Sequence, residues 1–181
     1  MLAFHALRQS ADPTRVEPAT TIDDLPAILK RPATAVDEPP ASSLETLPKD
    51  WFHLKDYRLL VDDGVARWYV ARAGTAAHPM VCLLGLEAGF TASCTNLDDF
   101  VKSGMLGTSF ASTTGPTTGV TTVSFLVPDN AQVVADGQQV ATTNNLVAWY
   151  DNHGTLVRRV QFVTPTYKSR VMKVRPVPRQ P

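Results

Sequence analysis

Cys82 and Cys94 are the only cysteines in this 181-residue chain, and they stand twelve positions apart. They sit on HPMVCLLGL and FTASC, two apolar runs separated by a bend at Glu87–Gly89, so the stretch reads as one β-hairpin with a sulfur on each arm. Neighbouring antiparallel strands bring Cα atoms to about the 4.4–6.8 Å usual for a disulfide. Closing so short a loop contributes about 3 kcal/mol in the chain-entropy account. A bond of this kind persists in an oxidising compartment. The alternative is a pair of buried free thiols in a cytosolic core. The spacing is not that of a CxxC redox pair or a zinc knuckle.

Other chemistry finds little support. His5, His53, His78 and His153 are not paired with one another or with Cys or carboxylates at a ligand spacing, so no metal site is expected. No serine stands in a GxSxG elbow. Gly104–Gly107 and Gly115–Gly119 match neither the phosphate-binding loop nor the dinucleotide fingerprint, so no cofactor is expected. Asp98-Asp99 are adjacent, and neighbours on a helix point about 100° apart. They suit the positive end of a helix better than a shared proton. Asp62-Asp63 belong to a turn. A hydrolase would have to assemble Cys94 or a serine with His78 from distant positions. Trp68-Tyr69 and Trp149-Tyr150 each split across the two faces of a strand, which places one ring of each pair in the core; core packing is favoured for these aromatics over the alternative, an exposed second ring that serves a ligand.

Net charge is zero, which gives no overall field toward nucleic acid or membrane. The charge is unevenly spread. Residues 1–50 hold five Lys/Arg against eight Asp/Glu, whereas residues 151–181 hold seven against Asp151 alone. Arg158, Arg159, Lys168, Arg170, Lys173 and Arg175 therefore form a candidate anion-binding strip, suited to lipid head groups or an envelope polymer. The strip lacks the aromatic interleaving of single-strand nucleic-acid binders. The plainer alternative is a solvated last strand with a ragged end.

The elements that must position these residues are mostly strands. Prolines 13, 18, 26, 32, 39, 40 and 48 interrupt any periodic pattern in residues 1–50, which read as an extended strap. One short helix is predicted there, at Ile22–Lys30, with Thr21 as its cap. From Trp51 the punctuation is that of hairpins. Asp63-Gly64 divides YRLLVD from VARWYVARA, Asp136-Gly137 divides AQVVA from QQVAT, and Asn152-His153-Gly154 divides NLVAWY from TLVRRVQFV. LDDFVKSG reads as a short helix capped by Thr95 or Asn96 and closed by Gly104. A Ser/Thr/Gly stretch follows, from Gly107 to Gly119, and reads as a mobile surface loop or a poor edge strand. GVTTVSFLVP is the clearest core strand, with Val123, Phe125 and Val127 on one face. Ser169–Val174 reads as an edge strand before a proline-rich end. No stretch reaches the ~18–20 apolar residues of a membrane helix.

Several short motifs together resemble a group of actinobacterial extracytoplasmic proteins, often anchored by one N-terminal membrane helix. At the start these are Phe4, Leu7-Arg8, Asp24-Leu25-Pro26, Leu29-Lys30-Arg31-Pro32 and Ala33-Thr34-Ala35-Val36-Asp37. Further on they are Trp68-Tyr69-Val70, Val81-Cys82-Leu83, Ser93-Cys94, Val127-Pro128-Asp129 and Asn144-Asn145-Leu146. The Ser109–Gly119 loop and the basic tail depart from that pattern. The resemblance implies an oxidising location, a joined cysteine pair and an anchor or export signal upstream of Met1. It implies no activity.

The expected architecture is mainly β: an antiparallel sandwich or open barrel with one or two short helices and a Pro-rich N-terminal strap. Residues 1–50 form the strap, 51–174 the β domain and 175–181 a basic tail. The expected function is non-catalytic, a binding or scaffolding role at the cell envelope. Its partner would be another envelope protein or an anionic surface polymer or lipid. The alternatives are a cytoplasmic binding module with free thiols, or the hydrolase.

Overall fold

In the computed structural model the described residues are 25–45, 53–86, 90–110, 121–151, 157–164 and 168–174. Eleven strands are described, forming three antiparallel sheets with no closed barrel among the described residues. Sheet I runs in order β1 (Lys55–Asp62), β2 (Arg67–Gly74), β3 (Pro79–Leu86), β4 (Phe90–Asn96). Sheet II places β6 (Thr121–Leu126) between β5 (Met105–Phe110) and β9 (Leu146–Asp151). Sheet III has the order β11 (Met172–Lys173), β10 (Arg159–Val163), β7 (Gln132–Ala135), β8 (Gln138–Val140). Two short helices complete the fold, α1 (Ala41–Leu44) and α2 (Leu97–Ser103).

Sheet II is the shared layer. On β6, Leu126 joins a core with Trp68, Val70, Val81 and Leu83 of sheet I and Phe100 of α2. Val123 and Phe125 join a second core with Val133, Val160 and Phe162 of sheet III. A strand buried on both faces cannot alternate apolar with charged residues, which explains the dense apolar run VSFLV. Two of its polar members, Thr122 and Ser124, are small and buried. Sheet I is likewise covered on both sides. Trp68 and Val70 face the first core, while Tyr69, Ala71, Cys82 and Leu84 form a third cluster on the opposite face.

Asn96 caps α2, its side chain accepting from Asp99 N–H at 2.7 Å. Gly104 closes it at φ 68°, donating to the Phe100 carbonyl at 2.7 Å. In the strap, the described part of the expected Ile22–Lys30 helix is a single 3₁₀ turn, Ala27–Leu29. Residues 21–24, with the expected cap Thr21, lie outside the described residues. The Ala27 N–H is held by Asp129 Oδ2 at 2.8 Å, a partner 102 positions away that no local pattern could announce. Leu25 and Leu29 then enter the first core.

The last hairpin expectation fails. β9 pairs with β6 of sheet II, while β10 pairs with β7 of sheet III, so NLVAWY and TLVRRVQFV are not partners. The physical reason lies in burial. Val147 packs into the second core from one layer, and Val160 and Phe162 close it from the other. Residues 152–156 lie outside the described set, as do 87–89 and 111–120.

Candidate functional site

Directly opposed residues of an antiparallel pair share a face. Arg159 is opposite Lys173. Val163 is opposite Lys168 in an isolated bridge, and opposite Gln132 on β7. Gln161 is opposite Val134, which is opposite Gln139 on β8. Val160 and Phe162, at the alternate positions, are buried in the second core. The outward face of sheet III therefore carries three cations, Arg159, Lys168 and Lys173, and three amides, Gln132, Gln139 and Gln161, around Val134 and Val163. Of these polar residues, all except Gln161 are exposed.

The proposed strip is thus brought together only in part. Arg158 and Arg170 are exposed, but no strand pairing assigns them to this face. Arg175 lies outside the described residues. The glutamines were missed by reading charge alone. For Gln161 the signal is a polar residue between two apolar ones, Val160-Gln161-Phe162; β7 and β8 show no such alternation around Gln132 and Gln139.

Asp136 sets one end of the face. It has φ 47° and Gly137 has φ 89°, a two-residue hairpin turn of the type Asp-Gly favours. Its carboxylate accepts from Arg158 N–H at 3.0 Å and Arg159 N–H at 3.0 Å, and its own N–H donates to the Arg159 carbonyl. The Arg159 Nε lies 4.0 Å from Asp136 Oδ1, an exposed and loose ion pair that leaves most of the guanidinium's donors to solvent. A groove of about 170 Å³ opens beside this turn, lined by Val134, Arg159, Gln161 and Val171 among others. Gln161 Oε1 is buried and meets no hydrogen-bond donor, a rare condition for a native amide.

The cysteines stand directly opposite on β3 and β4, with Sγ atoms 2.01 Å apart and Cα atoms 4.1 Å apart. Cys94 is therefore bonded to Cys82 and holds no thiolate for attack. His78 is exposed in the β2–β3 turn, where its backbone exchanges hydrogen bonds with Thr75. His5 and His153 lie outside the described residues. No cluster of three or more His, Cys, Asp or Glu side chains occurs among the described residues. No helix among them is long and apolar enough to cross a membrane.

The rings of Trp68, Tyr69 and Tyr150 are used internally. Trp68 and Tyr69 are both buried, on opposite faces of β2. Burial pushes the Tyr69 hydroxyl above its ordinary pKa. The Trp68 indole N–H donates to Tyr150 Oη at 2.9 Å, and Tyr150 donates to Asp63 Oδ2 at 2.6 Å. Burial opposes ionisation of Asp63, yet Tyr150 and the N–H groups of Ala66 and Val65 outweigh it and lower its pKa. Asp63 is thereby a joint between sheets I and II.

No protein-family model, curated protein or solved structure matches the chain.

Proposed function

We propose that this is a non-catalytic extracytoplasmic domain that binds an anionic polymer of the cell envelope through the outward face of sheet III. The observation that carries the reading is the one-sided chemistry of that face. On β10 the core residues Val160 and Phe162 alternate with outward ones, and the outward positions of the sheet hold cations and planar amides beside Val134 and Val163. Cations attract the charge of such a polymer, and amides exchange hydrogen bonds with its hydroxyls. A lipid surface would gain little from the glutamines. The Cys82–Cys94 bond supports an oxidising location. The motifs shared with actinobacterial envelope proteins point the same way.

The test is the affinity of the full chain for polygalacturonate, measured against ionic strength. Binding should weaken steadily as salt rises. The double substitution Arg159→Glu with Lys173→Glu changes two exposed positions and should weaken binding about tenfold or more. Undiminished affinity in a folded double variant would reject the proposal.

A further inference from the structure

A second concavity lies on sheet I and shares no wall with sheet III. It is a recess of about 460 Å³ beside the β2–β3 turn. Leu25, Ala73, Pro79 and Met80 give it apolar walls, and Lys55 and Arg72 bring two cations. Its volume falls in the ordinary range for small-molecule sites, roughly 300–1,000 Å³. Ala76 and Ala77, which also line it, carry side chains no larger than a methyl group.

Three features of its rim are unfavourable to the fold alone. Lys55 and Arg72 are direct partners across β1 and β2, and like charges so placed repel. Only Asp56 answers them, with an oxygen 3.2 Å from Arg72 Nη1; Lys55 has no ion-pair partner among the described residues. Asp56 itself sits at φ 54°, inside a register irregularity between Lys55 and Arg58. Irregularities of this kind re-aim side chains beside sites, and left-handed backbone at a non-glycine residue persists where the surroundings enforce it. Here the irregularity leaves Arg72 with one carboxylate and Lys55 with none among the described residues, beside an apolar hollow.

We propose that this recess binds an amphipathic anion, with a carboxylate or phosphate between Lys55 and Arg72 and a short alkyl body against Leu25 and Pro79, which share the face of Arg72. The net positive rim supplies the charge complement, and the apolar walls select a ligand with a tail over a bare ion. The site is independent of sheet III, so the two proposals stand or fall separately.

The test is a titration of the ¹⁵N-labelled full chain with decanoate and with decyl phosphate, each below its micelle concentration, and with octyl glucoside as the neutral control. Saturable shifts are expected at the amides of Ala73, Thr75, Ala76 and Ala77. Lys55→Glu should weaken binding about tenfold, and Arg159→Glu should leave it unchanged. Raising salt on the wild-type chain should weaken it several-fold, which tests the same charge without any substitution. Response to only one of the two anions identifies the head group and still supports the site. No saturable shifts with either anion, or binding of octyl glucoside as tight as that of the anions, would overturn it.

Discussion

The carboxylate of Asp37 accepts five hydrogen bonds: two from the Arg31 guanidinium, two from the N–H and hydroxyl of Thr34, and one from Leu59 N–H at 2.9 Å. Arg58, buried on β1, returns the tie by donating Nε and Nη2 to the Arg31 carbonyl at 3.0 and 2.7 Å. The strap is thus fastened to the outer edge of β1, where an open strand edge would otherwise offer its N–H groups to another chain. The Arg31 guanidinium, aided by the N–H groups of Leu59 and Thr34, holds the Asp37 carboxyl far below the usual carboxylate range. A folded pKa below the unfolded value of about 3.9 adds stability above that pH, and the gain fades as pH falls toward the folded value. Asp37→Asn should therefore lower unfolding free energy by about 1–3 kcal/mol near neutral pH. In urea titrations the gap from wild type should shrink between pH 5 and pH 2, whereas a gap independent of pH would contradict this role. Little of it was legible in advance. Asp37 reads as one acid among eight in an acidic leader, and its partners on β1 become visible only in three dimensions.

Among the elements, turns and caps were legible where the signal is local. Asp136-Gly137 and the Asn96 and Gly104 ends of α2 depend on residues within four positions of one another, so sequence suffices. Strand partnership is a different matter. The β9–β10 pairing was misread because a turn signal states where a chain bends, not which layer the next strand enters. Cross-strand fit shows the same dependence. Gly85 is opposite Trp68, and a Cβ at Gly85 would lie 2.7 Å from the indole ring. The indole occupies the space a side chain would fill. Gly85→Ala should cost about 1–3 kcal/mol through overpacking, read as a lower thermal midpoint. Gly137→Ala acts differently, through strain at φ 89°, with nothing nearby to meet the new methyl group. An undiminished midpoint for Gly85→Ala would mean that Trp68 is not held against β3.

At the scale of the molecule, three sheets are stacked through two cores that share sheet II, and the sulfur bridge lies in a third cluster on the far face of sheet I. The mainly β class and the joined cysteines could be read from alternation, turn residues and a hairpin with one cysteine on each arm. The proposed binding face could be read only in part. Its lysines and arginines announced themselves by charge, while Gln132, Gln139 and Gln161 gained meaning when register put them beside those cations. Replacing both cysteines by alanine should lower stability by about 3 kcal/mol. Alkylation of the chain in its native cell, before any reductant, should leave Cys82 and Cys94 unlabelled; labelling of both would remove the oxidising address. The face itself is tested most directly by mapping amide shifts on the ¹⁵N-labelled chain as polygalacturonate is added. The expected result is a set of shifts clustered on Gln132, Val134, Gln139, Arg159, Gln161, Lys168 and Lys173. Shifts confined to sheet I, or none at saturating polymer, would contradict the account.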